Sequence, residues 1–356
     1  MNNKILYLVF LLLFAAGCIK EIQLKTETGD LSTLIISGDF TNSNGKHVLK
    51  LSQPSPYGVS SFGHVGGALV TLFDDNGNSA SYTEVFNAQG AAYELAANAM
   101  PAVPGRAYHI EIVLPDGETY RSEPQVLLPV IPVDTLLVEA RTVNRTTGAG
   151  VVVQDRLGFV DAQTTIPANE TQVFFRWQAD CVYFFPEQPL PGPLPPPTRK
   201  CYVTEYLTEQ QAVVLSLDNQ NGRTIRTAIA GKRIDKAFEF KAFYNVVQKR
   251  ISADAFDYFD RISKIANPEG TVFDTPPGTL KGNCYNVNNP SRVPLGYFEV
   301  AAVDTFRVSL NGSFFGADFN YAPHCTQDDF YFNRDQECFD CLLLKNSTYE
   351  RPFYFD

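Results

Sequence analysis

The clearest structural signal in this chain is the stretch Tyr108-His-Ile-Glu-Ile112, in which apolar and polar side chains alternate. In an extended chain successive side chains point to opposite faces, so the tyrosine and the two isoleucines share one face. The histidine and the glutamate share the other. Such alternation predicts a β-strand with one face in a core and the other in water.

The same signal recurs on both sides of this stretch. Ala68, Val70 and Leu72 share a face at two-residue spacing. Asp75-Asn-Gly-Asn78 is typical of a hairpin turn, because Asn and Gly tolerate positive φ, and Pro115-Asp-Gly117 is a second turn sequence. Turns about ten residues apart suit an immunoglobulin-like β-sandwich, which we predict over residues 31–129.

A larger β-rich domain is predicted over residues 130–356, after a junction at Pro129 and Pro132. Its candidate strands are Thr135–Val138, Val151–Val153, Gln172–Trp177, Val213–Leu217, Thr224–Ile229, Phe238–Tyr244 and Tyr297–Val308. The expected fold class is therefore mainly β: an immunoglobulin-like β-sandwich followed by a larger β-rich domain with one conspicuous amphipathic helix.

That helix is predicted over about residues 252–267. Ser252 is a good N-cap residue, and Asn267-Pro268 ends the pattern. The apolar residues recur at helical spacing and are expected to pack in the core rather than to contact a ligand. They are Ala255, Phe259, Ile262 and Ala266.

A proline-rich loop spans residues 186–198, and its composition favours an extended polyproline conformation. One interpretation is a stiff exposed loop. The other is a finger that contacts a partner and is fastened at its base by Cys181 and Cys201.

Six cysteines lie beyond residue 18, and an even number in an exported chain favours disulfide bonds. The candidates are Cys181, Cys201, Cys284, Cys325, Cys338 and Cys341. Fifteen pairings are open to six cysteines. The single pairing we favour is Cys181 with Cys201, since closing that loop would stabilise the fold by about 3 kcal/mol.

The N-terminus has the pattern of a secretory signal over residues 1–17. Lys4 precedes an apolar run, and the small residues before Cys18 resemble a bacterial lipobox, in which the cysteine is acylated. An ordinary signal peptide with an unrelated cysteine is the alternative. The apolar run is too short to span about 30 Å of hydrocarbon, so we expect a protein anchored by acyl chains at Cys18, with a tether over residues 18–30.

The net charge of −10 argues against nucleic acid, whose phosphates require a basic surface. The same negative charge disfavours electrostatic binding to the surface of an anionic membrane. The bilayer partner is therefore expected to be held through acylated Cys18 alone.

No pattern in the sequence indicates a catalytic site or a cofactor. The serines at 60 and 61 lack the paired glycines of a nucleophile elbow, and neither a phosphate loop nor a dinucleotide fingerprint is present. His324-Cys325 with Cys338 and Cys341 would suit zinc, but disulfides are the stronger expectation, so no metal is predicted. A pair of carboxylates placed by the fold remains open.

Several motifs carry a resemblance to a known family. After the helix come Phe273-Asp274, Pro277-Gly278, Gly282-Asn283, Asn286-Val-Asn288-Asn-Pro290 and Leu295-Gly-Tyr-Phe298, and near the end Cys338-Phe-Asp-Cys341 and Pro352-Phe353. Together with the lipobox and the sandwich, they resemble the Bacteroidota outer-membrane lipoproteins grouped as domain of unknown function 4249. The motif block itself is expected to be architecture rather than a site.

The resemblance implies a context. It implies a non-enzymatic lipoprotein of the outer membrane, serving as accessory or substrate-presenting partner of a TonB-dependent transporter whose ligand is unknown. Lys20-Glu21 resembles a leader for export to the cell surface, and Asp134-Thr135-Leu136 is similar to a short O-glycosylation sequon with Thr135 as acceptor. The alternatives are a surface adhesin or structural module, and a hydrolase that uses two carboxylates.

Overall fold

The computed structural model describes residues 32–55, 63–87, 90–148, 150–188, 198–208, 212–266, 280–316, 325 and 336–355. Strands make up 53% and helical residues 10%, which confirms the mainly β fold class. Cys18, Lys20-Glu21, the prolines from 189 to 197 and His324 lie outside the described residues. Within the described part of the chain, no helix has the length and apolar character needed to cross a bilayer.

Twenty strands and one α-helix are described. The first ten strands are β1 Ile35–Thr41, β2 His47–Gln53, β3 Gly63–His64, β4 Leu69–Asp74, β5 Ser79–Ser81, β6 Thr83–Asn87, β7 Gly90–Leu95, β8 Ala107–Val113, β9 Thr119–Ser122 and β10 Gln125–Val126. The others are β11 Thr135–Thr146, β12 Val152–Thr165, β13 Gln172–Pro186, β14 Lys200–Tyr206, β15 Val213–Asp218, β16 Thr224–Arg233, β17 Ala242–Ile251, β18 Cys284–Asn286, β19 Leu295–Leu310 and β20 Ser347–Thr348. The helix, α1, spans Ala253–Ala266. Short 3-10 helices lie at Lys236–Phe238, Gly312–Phe315, Gln336–Cys338 and Cys341–Leu343.

These strands form three sheets. The largest has eleven strands in the order β20-β14-β13-β17-β19-β1-β2-β7-β6, with β15 beside β13 and β3 beside β2. The second has six strands in the order β18-β9-β8-β4-β5, with β10 beside β8. The third is β11-β12-β16.

The first core lies between the large sheet and the six-stranded sheet. Tyr108, Ile110 and Ile112 of β8 are fully buried in it, as their alternation predicts. Ile36 of β1 and Leu49 of β2 meet them from the large sheet. The predicted turns at 75–78 and 115–117 connect β4 to β5 and β8 to β9.

The second core lies between the large sheet and the β11-β12-β16 sheet. Its central side chains, Phe175 and Trp177 of β13 and Val160 of β12, are almost fully buried. The sequence-based strands of this region are confirmed with one exception. Where we expected a strand over Phe238–Tyr244, a 3-10 turn ends at Phe238 and β17 begins at Ala242.

Strand β19 belongs to both cores. Its residues Leu295–Ala301 pair in parallel with β1, whereas Ala302–Leu310 pair antiparallel with β17. Phe298 and Val300 fill the first core, and Leu310 fills the second. One sheet therefore runs across the predicted boundary at 129/130, and β18 and β19 complete the first sandwich.

Helix α1 covers the outer face of the large sheet. The Ser252 Oγ accepts a hydrogen bond from the Ala255 amide at 3.2 Å, so it caps the helix as predicted. Ala255, Phe259 and Ile262 pack on the sheet. Ala266, the last residue of the helix, is exposed, so its expected place in the core is wrong.

Charged side chains are buried beneath this helix. Lys249 of β17 is hydrogen-bonded to Asp39 of β1, and its Nζ lies 3.9 Å from Glu299 of β19. Glu299 also pairs with Arg176, whose guanidinium lies 4.2 Å from the centre of the Phe259 ring. The network joins strands that fill both cores.

Two disulfide bonds hold the C-terminal segment, and the favoured pairing of Cys181 with Cys201 is wrong. Cys201 is bonded to Cys341, and Cys325 to Cys338, while Cys181 and Cys284 are buried free thiols. Strand register explains the error. Cys201 lies opposite Phe185, four residues along β13 from Cys181, and at about 3.3 Å per residue that offset exceeds the reach of a disulfide.

Among the described residues, the cysteines offer no pair of thiolates for a metal. Cys338 and Cys341, which a zinc site would have shared, belong to different disulfides. The Glu187 carboxylate lies close to the sulfurs of Cys201 and Cys341, but these are bonded to each other. A metal needs deprotonated thiols, so this cluster does not fit one.

Candidate ligand-binding cleft

A cleft of about 380 Å³ opens beside α1. One side is the helix, and the other sides are the chain between β9 and β10, the segment leading into β18, and the start of β19. The cleft thus lies where the first sandwich meets the strand that it shares with the second. Its volume falls at the lower end of the range typical of small-molecule sites.

The helix contributes one complete face to the cleft. Asp254, Asp257, Tyr258 and Arg261 follow one another at spacings of three, one and three residues, which places them on the same side of a helix. This face lies beside the apolar stripe that packs on the sheet. Tyr258 is buried, whereas the three charged residues are exposed at the rim.

Two tyrosines packed against each other in a tilted arrangement form the floor. The rings of Tyr258 and Tyr297 are 4.8 Å apart at their centroids, with an interplanar angle of 33°. Burial raises the pKa of each hydroxyl to about 12. Both are therefore neutral at pH 7 and can take part in hydrogen bonds without carrying charge.

Gln125 of β10 lies at the same floor. It is buried, with 6% of its surface exposed, and its Nε2 donates to the Tyr297 hydroxyl at 2.9 Å. Its Oε1 has no hydrogen-bond partner among the described residues. A buried carbonyl oxygen without a donor is uncommon and costs about 1–3 kcal/mol.

The wall opposite the helix is built by close backbone contact. A Cβ atom placed on Gly282 would lie 1.6 Å from the Gly296 carbonyl oxygen, so only glycine fits. The next side chain, Asn283, donates to the Phe298 carbonyl at 2.8 Å and accepts from the Phe298 amide at 2.9 Å. These contacts fasten the wall to β19.

Cys284 completes this wall as a buried thiol. Burial raises its pKa to about 12, so it stays protonated at neutral pH and is a poor nucleophile. Its role in the cleft is therefore to pack rather than to react.

The rim carries both signs of charge. Three carboxylates, Glu123, Asp254 and Asp257, face two cations, Arg261 and Lys281. All five are exposed, and among the described residues none of them lies within 4.0 Å of an opposite charge. The rim therefore has a formal charge of −1, with donors and acceptors that form no ion pair within the described part of the chain.

Most of the cleft was missed by the sequence analysis. The motif block 282–298 was expected to be architecture, and Gly282 and Asn283 do have that role, but the same segment forms the cleft wall. The signal available in the sequence was the second face of the helix, where Asp254, Asp257 and Arg261 accompany a tyrosine.

The residues named in advance lie elsewhere, apart from Cys284. Thr135 begins β11 and is half-buried, while the preceding Asp134 carboxylate accepts a hydrogen bond from the Thr165 hydroxyl at 2.7 Å. Leu136, the third residue of the sequon, is buried in the second core. Cys18 lies outside the described residues.

Comparison with known proteins identifies a family. A family model described as Domain of unknown function (DUF4249) matches residues 19–307. No curated protein matches the chain. A solved pullulanase from Anoxybacillus sp. LM18-11, complexed with maltotriose, aligns at 8% identity and a TM-score of 0.17, over 60% of this chain and 24% of the pullulanase. At that TM-score the likeness supports no inference.

Proposed function

The chain belongs to the family described as Domain of unknown function (DUF4249), and from this membership we propose that it is a non-enzymatic, lipid-anchored protein of the outer membrane. In this proposal it partners a TonB-dependent transporter and holds the transporter's substrate in the cleft beside α1. Cys18 carries the acyl anchor, and two or three acyl chains suffice for stable attachment.

The observation that carries the proposal is the position of the family motifs. Gly282, Asn283 and Tyr297, on which the resemblance rests, build the wall and floor of the cleft. A tyrosine-lined cleft with a mixed-charge rim has the composition of a small-molecule binding site, in which a few polar groups orient a ligand on aromatic surface.

The experiment is affinity isolation of the acylated protein from gently solubilised outer membrane, followed by mass spectrometry. We expect a TonB-dependent barrel in stoichiometric amount. The matched control is Cys18→Ser, which leaves residues 32–355 unchanged and should lose both acyl incorporation and membrane attachment. Recovery of the lipoprotein alone, under conditions that preserve barrel complexes, would contradict the proposal and favour an adhesin or structural module.

A carboxylate-pair hydrolase is the second candidate, and the rim favours it through Glu123, Asp254 and Asp257. Glycoside hydrolysis needs two carboxyl groups about 5–10 Å apart on either side of the scissile bond. The test is release of nitrophenol from aryl glycosides by the intact protein, compared with Glu123→Gln, Asp254→Asn and Asp257→Asn. If the protein releases nitrophenol and two of these variants abolish the release, the protein is a hydrolase. If no nitrophenol is released, the result supports ligand binding without hydrolysis.

A further inference from the structure

We propose that the cleft beside α1 binds a neutral carbohydrate of one or two sugar rings. The inference rests on the proposed ligand-holding function and deepens it by naming the substrate class. Size, aromatic surface, the unpartnered floor oxygen and the charges of the rim each contribute to the argument.

The volume matches a small sugar. About 380 Å³ corresponds to roughly a dozen water molecules at their share of liquid volume. Bonded atoms pack more closely than separate water molecules, so a hexose with about a dozen heavy atoms leaves space in the cleft for part or all of a second ring.

The aromatic surface suits the C–H face of a sugar ring. Tyr258 and Tyr297 pack against each other at the floor and are largely buried, and the exposed ring is that of Tyr285 at the mouth, which is 38% exposed. Tyrosine offers a large, rigid apolar face together with a hydroxyl. The Tyr258 hydroxyl makes no hydrogen bond with any described residue, so it is available to a ligand.

The floor of the cleft contains a hydrogen-bond acceptor that has no donor within the described part of the chain. The Gln125 Oε1 is buried without a partner among the described residues. This oxygen has almost no accessible surface, so a sugar hydroxyl donates to it only when the Gln125 side chain turns towards the cleft, and the hydroxyl then accepts from a neighbouring group. A site built to bond a ligand hydroxyl discriminates strongly against a ligand that lacks it, because the site's own polar atom then remains unpaired.

The rim argues for a ligand without net charge. Three carboxylates and two cations stand around the opening, and none of them is paired with an opposite charge in the described part of the chain. An anionic or a cationic ligand would meet repulsion on part of this rim. A polyhydroxyl ligand accepts from Arg261 and Lys281 and donates to the carboxylates at no such cost.

Titration calorimetry on the acylated, full-length protein tests the inference, in a detergent that carries no sugar headgroup. The probes are cellobiose, maltose and lactose, and the matched set glucose, glucuronic acid and glucosamine. We expect at least one neutral sugar to bind more tightly than its charged analogues. Gln125→Leu and Tyr285→Ala should each weaken that binding about tenfold or more.

Tyr206→Ala is the control, because Tyr206 is an exposed tyrosine on β14 outside the cleft. Its affinity should stay within about twofold of the parent. Because Tyr285 is exposed, Tyr285→Ala is expected to fold even if Gln125→Leu does not. Thermal melting shows whether each of the two variants is folded. The inference is overturned if no neutral sugar binds, if a charged analogue binds more tightly, or if both cleft variants bind like the parent. Co-isolation of a TonB-dependent barrel does not depend on any of these results. The proposed partnership with a transporter is therefore tested separately from carbohydrate binding.

Discussion

Gly296 shows how a single residue positions the cleft. Its φ is +92°, and a Cβ atom at this position would lie 1.9 Å from the Ile36 carbonyl oxygen. The neighbouring Tyr297 is thereby set at the floor, against the helix. Any side chain at 296 would push β19 away from β1 where the parallel pairing begins.

Gly296→Ala is therefore expected to destabilise the protein by more than about 4 kcal/mol, or to prevent folding, since backbone atoms must move. Gly77→Ala is the matched control. Gly77 has a similar φ of +85°, but nothing lies within 4 Å of its would-be Cβ. Only the conformational cost of about 1 kcal/mol should appear there. Urea denaturation measures both, and equal losses would contradict the close-contact explanation.

Lys249 provides a second test at the residue scale. Its side chain is 3% exposed and that of Glu299 is 2% exposed. Lys249→Met should lower the free energy of unfolding by about 3 kcal/mol, because Asp39 and Glu299 lose a buried cation while Glu299 keeps its pair with Arg176. Lys264→Met, which breaks only an exposed pair with Asp260 on α1, should cost less than about 0.5 kcal/mol.

The same network makes part of the free energy of unfolding sensitive to acid. Partial burial opposes the charged form of Asp39, whose side chain is 34% exposed, but Lys249 outweighs it through charge and a hydrogen bond, so the pKa of Asp39 is lowered below its ordinary 3.8. A lowered folded-state pKa stabilises the fold above the unfolded value, and this stability is lost as pH falls through the folded value. The stability difference between the parent and Lys249→Met should therefore shrink below about pH 4. A constant difference across pH 3–7 would contradict this assignment.

At the scale of elements, most local patterns predict the structure correctly, whereas distant partners are not encoded in them. Strand β8 and helix α1 follow from the periodicity of their own side chains. The pairing of β1 with β19 joins Ile35 to Leu295, and no local pattern encodes a partner so far along the chain. The cleft escaped detection for the same reason, because its residues come from segments that only the fold brings together.

The disulfides give a prediction at this scale. Cys201–Cys341 closes a separation of 140 residues, and Cys325–Cys338 closes 13. In the chain-entropy model these correspond to about 5 and about 3 kcal/mol. Cys201→Ser with Cys341→Ser should therefore lower the melting temperature more than Cys325→Ser with Cys338→Ser, as calorimetry under non-reducing conditions would show. The opposite order would mean that native-state contacts, rather than loop closure, dominate.

For the whole molecule, the shared strand makes the two cores interdependent. Residues 31–129 contain neither β18 nor β19, which supply Cys284, Phe298 and Val300 to the first core. The isolated fragment 31–129 should therefore lack the dispersed amide spectrum of a folded domain in NMR. Joining it by a flexible linker to residues 280–302 should restore that spectrum. A folded fragment without the addition would show that the predicted boundary marks an autonomous domain.

The parallel pairing of β1 with β19 can form only late in synthesis. Ile35 pairs with Leu295, which is synthesised 260 residues later. At about 5–20 residues per second, β1 spends roughly 13–50 s with one hydrogen-bonding edge unmatched. Exposed strand edges invite pairing with other chains. Until β19 has been made, the edge of β1 that it covers is therefore open to pairing with another chain.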